Sequence, residues 1–149
     1  MKKELNDTLK YEINLLDKAK ENLEYSFNKC VNADIDKEFT NEELEQFEAM
    51  TSRFARLSDI FIQKILRLID EIELETDGTV RDRINRAEKK GIIEDAAIFI
   101  EIRILRNSIS HEYIVEALRD IFKKIIEYTP YLINGVNNLK KYSGKYINK

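Results

Sequence analysis

Between positions 44 and 72 an apolar residue returns at every third or fourth place: Leu44, Phe47, Met50, Phe54, Leu57, Phe61, Ile65, Leu68 and Ile72. An α-helix gathers that spacing onto one face, because 3.6 residues complete a turn; a strand would scatter it over both faces. Ile60, Ile62, Leu66 and Ile69 widen the stripe toward its C-terminal half. So long an apolar face is stable only when other helices cover it. Turn residues are scarce, with four glycines and one proline among 149 residues, which is incompatible with the many turns of an all-β chain. The fold class expected is all-α: an antiparallel bundle of four to five helices with short connections, forming a single domain over residues 1–149.

The other elements follow from the same periodicity. Leu5, Leu9, Ile13, Leu16, Leu23, Phe27 and Cys30 mark a first helix over residues 5–30, and residues 31–39 break the pattern as a loop. Thr40-Asn41-Glu42-Glu43 reads as a capping box that opens the second helix, which Asp77-Gly78 should end. Thr79 can cap a short third helix over residues 80–90, with Gly91 as its stop. That helix carries Arg81, Arg83, Arg86, Lys89 and Lys90 and is the most basic stretch of the chain. A fourth helix over residues 94–106 is apolar nearly all round, which predicts a central position or a subunit interface. The fifth begins near Tyr113, and Pro130 should kink or split it. Residues 140–149 form a basic tail expected to fray.

Charge and cysteine content narrow the setting. Net charge is −3, so no global electrostatic attraction to nucleic acid exists, and RNA contact requires a local basic patch. Cys30 is the only cysteine and is expected to be buried packing. No intrachain disulfide can form, the first residues lack the apolar run of a secretory signal, and no stretch is long and apolar enough to span a membrane. A cytoplasmic location is expected. One His and one Cys cannot build a zinc cage, and no Gly-rich phosphate loop is present, so neither metal nor cofactor is expected. The acidic pairs Glu42-Glu43, Asp70-Glu71 and Glu94-Asp95 read as helix starts and solvent faces.

One segment stands apart: Arg106-Asn107-Ser108-Ile109-Ser110-His111-Glu112-Tyr113, which contains the only histidine. Five positions separate Arg106 from His111, about 140° of rotation on an unbroken helix, so the two would not share a face. A backbone break between them removes that difficulty, and Ser108 and Ser110 are suited to make it because their hydroxyls compete for backbone groups. Arg106 would then close the fourth helix and His111 would stand at the mouth of the fifth.

The octet resembles the R-(polar)-x-x-x-H-x-Y signature of HEPN domains, specifically the HepT-like toxins, and the helical surroundings agree with it. The resemblance implies a metal-independent endoribonuclease whose site forms in the cleft of a homodimer. It also implies a minimal nucleotidyltransferase antitoxin as partner. Carried over, Arg106 and His111 would be catalytic, Asn107 would be the supporting polar residue, and Tyr113 the target of adenylylation. Arg81, Arg83, Arg86 and Arg103 are candidates for RNA contact, with tRNA one candidate substrate. The chemistry is coherent with these residue types. Histidine can move protons near neutral pH, and a guanidinium can hold two oxygens of a phosphorane-like transition state. One chain supplies one histidine and a two-fold dimer supplies two. Two other readings stay open: a noncatalytic substrate-binding subunit of a nucleotidyltransferase, and a plain helical interaction module in which Arg106 is a C-terminal helix cap.

Overall fold

A computed structural model of the chain describes residues 2–109 and 115–148, and within them every regular element is helical. In chain order these are α1 (Lys2–Cys30), α2 (Asn41–Ser58), a π-helical segment (Asp59–Ile65), α3 (Leu66–Ile72), α4 (Val80–Lys89), α5 (Ala96–Ile109) and α6 (Val115–Ile147). The all-α bundle expected from the stripes is the fold observed.

Local chemistry explains most of the boundaries. Thr40 caps α2 as a complete capping box: the Glu43 amide donates to the Thr40 hydroxyl, and the Thr40 amide donates to the Glu43 carboxylate. Thr79 and Asp82 make the same reciprocal pair at the start of α4. Gly91 follows α4 at φ +78°, a conformation that glycine adopts without penalty. Four boundaries differ from the sequence reading. The helix expected to reach Asp77 ends at Ile72, where Leu74 takes the left-handed conformation at φ 59°. The Leu74 amide then reaches the Glu71 carbonyl and the Glu75 amide reaches the Asp70 carbonyl, a full Schellman closure without glycine. α5 does not close at Arg106 but continues to Ile109, because the Ser108 hydroxyl donates to the Leu105 carbonyl (2.8 Å) and leaves the backbone ladder intact. Pro130 does not split α6, which runs through it. The tail expected to fray is helical as far as Ile147, with the Tyr142 and Tyr146 hydroxyls both donating to Glu73.

α1 packs against the α2–π–α3 rod and against α6. Its C-terminal end lies beside the start of α2, around Tyr25 and Gln46, and its N-terminal end lies beside the end of α3, around Leu5 and Ile72. The two therefore run antiparallel. Lys140 pairs with Asp17 and Lys123 with Asp36, so α6 also runs antiparallel to α1. Phe47 and Phe122 stack at the α2–α6 contact with ring centroids 4.8 Å apart, and Phe39 lies tilted against both. At the other end Phe61 and Phe99 lie against Gly135, where an added Cβ would stand 2.7 Å from the Phe99 ring. Glycine there lets α6 approach α5 closely. The expectation that α5 is buried on most sides does not hold within one chain. Ala96, Phe99, Ile102 and Leu105 form its single buried line, while Ile104 is half exposed. Cys30 is buried as expected.

The π segment is the irregular element that matters for the site. The Leu66 amide reaches back five residues to the Phe61 carbonyl, one more than in an α-helix. Its wider turn buries adjacent pairs, Phe61 with Ile62 and Ile65 with Leu66. Asp59 opens the segment and faces α5.

Candidate functional site

Arg106 lies in the last turn of α5. Its side chain is 30% exposed and forms a two-point ion pair across to the π segment. Nε donates to Asp59 Oδ1 at 2.9 Å and Nη2 donates to Asp59 Oδ2 at 3.0 Å. Hydrogen bonding to Asp59, and then its negative charge, raise the Arg106 pKa against the opposing effect of burial. The guanidinium is thus a fixed cation with a fixed plane. Asn107 follows it on α5 with an exposed side chain. Ser110, His111, Glu112 and Tyr113 fall outside the described residues. Of the stretch between Arg106 and His111 where a backbone break is expected, the part up to Ile109 is unbroken helix, and the roles expected of His111 and Tyr113 lie outside the described residues.

The four arginines named as RNA contacts do not act alike. Arg81 is exposed on α4. Arg86 turns inward instead: Nη2 donates to Asp70 Oδ2 at 2.8 Å, Nε reaches Oδ1 at 3.5 Å, and Nη1 donates to the Asp77 carbonyl. Arg83 also leans inward, donating from Nη1 to the Ile62 carbonyl, with Nε 3.7 Å from Asp70. Burial lowers its pKa; Asp70 opposes that, and the positive charges of Arg67, Arg86 and Arg103 add to it. Arg103 stands one turn before Arg106 on α5, its Nε enclosed without a hydrogen-bond acceptor. Arg103 and Arg106 therefore belong to α5, Arg103 with its Nε enclosed, whereas Arg83 ties α4 to the π segment and Arg86 ties it to α3.

That contact is a cluster the sequence reading missed. Asp70, taken there as part of a solvent face, is 5% exposed and faces Arg83, Arg86 and Lys90. Lys90 in turn bridges to Glu73 and Glu75. Burial alone would raise the Glu73 pKa, but donation by Lys90, Tyr142 and Tyr146 outweighs it and holds the carboxyl below its ordinary range. No local pattern marks these residues, because the contacts span 69 and 73 positions from Glu73 to the tyrosines. Asp59 escaped notice for a related reason: it sits two places from both Leu57 and Phe61, off the stripe, and reads as an ordinary solvent-facing acid.

A groove of about 660 Å³ lies between Leu5 and Thr8 of α1 and Ile72 and Leu74 at the end of α3. It shares no residue with the Arg106 site, and its lining also includes Lys2, Glu4, Glu71 and Thr76. Among the described residues no group of three or more His, Cys, Asp or Glu is arranged to hold a metal ion. Among them also, no helix is long and apolar enough to cross a membrane. No known protein family, curated protein or solved structure matches the chain.

Proposed function

We propose that this chain is a metal-independent endoribonuclease toxin of the HEPN type, restrained by a minimal nucleotidyltransferase antitoxin. The observation that carries the reading is the partly exposed, two-point-fixed Arg106 in the last turn of α5, five residues before the only histidine. In this reading His111 takes the proton of an RNA 2′-hydroxyl, and the resulting oxygen attacks the adjacent phosphorus. The 5′-oxygen leaves with a proton from the second histidine of a homodimer, giving a 2′,3′-cyclic phosphate. Arg106 binds the non-bridging oxygens as charge accumulates on them. Asn107 supports the same phosphate. Arg81 and Arg103 are the remaining contacts available to the RNA backbone, with tRNA the first substrate to test. Ile104, half exposed on α5, suits a surface that a second copy covers. The antitoxin would transfer AMP from ATP to the Tyr113 hydroxyl with release of pyrophosphate, placing bulk and negative charge beside the phosphate site.

The test is induced expression of wild type, His111→Ala and Arg106→Ala without a partner gene, with growth and total RNA followed together. Growth arrest and RNA cleavage by wild type alone are expected, each substitution reducing cleavage about 10²–10⁴-fold. Equal growth and intact RNA in all three strains, with soluble protein present, would overturn the reading in favour of a noncatalytic binding subunit.

A further inference from the structure

We infer that Asp59 is a positioning residue for Arg106: it fixes the guanidinium plane so that the outer Nη1–Nη2 edge meets the reacting phosphate. The inference rests on the ribonuclease reading and adds a residue that the octet does not contain.

The geometry assigns the two edges of the guanidinium. Asp59 occupies the Nε–Nη2 edge through two bonds of 2.9 and 3.0 Å. The covalent plane then directs the Nη1–Nη2 edge away from the π segment. A single hydrogen bond would leave the plane free to swivel; two parallel ones do not. Asp59 is itself well founded. Ser58 before it is buried and donates to the Phe54 carbonyl, and Phe61, Ile62 and Ile65 after it are core residues. A π segment shifts the register by one residue relative to an α-helix, and such segments collect at functional sites. Here the segment starts at the residue that meets Arg106.

Stability does not account for the pair. The side chains are 30% and 44% exposed, and exposed pairs contribute little. Nor does affinity for RNA account for it, because a carboxylate beside the phosphate-binding cation repels phosphate. The arrangement gives up ground-state attraction for orientation, and orientation is realised in the transition state. Asp59 should therefore act on kcat and oppose its own effect on KM.

The experiment measures cleavage of 3′-labelled bulk tRNA by the full chain carrying Asp59→Asn, Asp59→Ala or Asp59→Glu, and by each combined with Arg106→Ala. The expected result for Asp59→Asn and Asp59→Ala is a 10–100-fold lower kcat with KM unchanged or lower. Asp59→Glu should recover part of the loss. On an Arg106→Ala background, removal of Asp59 should change nothing further. Thermal unfolding run in parallel separates folding from orientation: a merely structural Asp59 would lower the melting temperature and raise KM. Wild-type kcat in Asp59→Asn, with wild type active and Arg106→Ala inactive, overturns the role of Asp59 and leaves the ribonuclease standing. Wild type that leaves both bulk tRNA and total RNA intact overturns the ribonuclease and Asp59's role with it.

Discussion

Asp70→Asn removes one charge from the most enclosed acid among the described residues and leaves three cations behind. The Asp70 side chain is 7% exposed, with Arg86 Nη2 at 2.8 Å, Lys90 Nζ at 3.6 Å and Arg83 Nε at 3.7 Å. Asparagine keeps the size but turns one acceptor oxygen into an NH2 group that faces guanidinium donors. Breaking a buried pair from one side costs about 3–5 kcal/mol, because the remaining charge stays desolvated. The low end applies here. The three cations are 15–21% exposed, Lys90 retains Glu73 and Glu75, and Arg86 retains the Asp77 carbonyl. A loss of about 3 kcal/mol is a large part of the 5–15 kcal/mol that holds a typical domain folded.

Urea denaturation reads this directly. With a slope near 2 kcal/mol per molar, the midpoint should fall by about 1.5 M with the slope unchanged. Replacing Asp70 and Arg86 together by leucine should cost less than the sum of the single changes, since neither partner is then left alone. A midpoint within about 0.3 M of wild type for Asp70→Asn, or strictly additive costs for the double change, would refute the reasoning. The cluster would then be no more than a surface network, with water already serving the cations.

Two further outcomes are expected from the same end of the bundle. Leu74 holds a left-handed φ of 59° with its side chain 89% exposed, so Leu74→Gly relieves backbone strain at no packing cost and should stabilise the chain by about 1 kcal/mol. Leu74→Ala, which keeps the strain, should not stabilise it, and equal unfolding midpoints for the two variants would contradict this. The second outcome concerns pH. Burial, and then donation to Glu73, raise the phenol pKa values of Tyr142 and Tyr146, that of Tyr146 to about 12 from an ordinary 10.0. Groups raised in this way stabilise the fold fully below pH 10.0, and the contribution disappears as pH climbs toward about 12. Glu73 works in the other direction: its lowered pKa contributes above its ordinary 4.5 and is lost as pH falls below that. Stability measured against pH should decline at both ends, and Tyr142→Phe with Tyr146→Phe should flatten the alkaline decline; an unchanged alkaline limb in that variant counts against the assignment.

Features whose cause is local were legible in the sequence. The capping boxes at Thr40 and Thr79 need only residues three apart, and the stripes of α1 and α2 need only their own period. Other features were not legible, because a contact or a conformation overrode a local rule. Glycine is the expected helix stop, so Asp77-Gly78 drew the boundary, but Leu74 accepts the left-handed conformation five residues after Ile69 and closes the helix first. Serine is a breaker only when its hydroxyl competes with the ladder, and Ser108 bonds back to Leu105 instead. Lysines make a tail look frayed, yet Tyr142 and Tyr146 tie it to Glu73. Asp70-Glu71 looks like a solvent face because the cations that enclose Asp70 arrive from α4.

The π segment is the most instructive of the illegible features, because the apolar run Ile60-Phe61-Ile62 serves an α-helix and a π-helix equally well. Its trace in the sequence is the widened stripe: Phe61 with Ile62 and Ile65 with Leu66 are adjacent pairs four residues apart, and both pairs are buried. A 3.6-residue turn needs a wider buried face to point two neighbours into the core at successive turns, and the wider turn of a π segment reduces that spread. The widening then fixes where Asp59 stands, since the first residue of the segment is the one whose carboxylate meets Arg106. The octet identifies a cation and a histidine by their spacing. The register of a different helix, 47 residues earlier in the chain, supplies the partner that orients the cation. A motif defined by contiguous residues cannot contain that partner. An acid that opens an apolar run in the facing helix is the sign to look for beside such a motif.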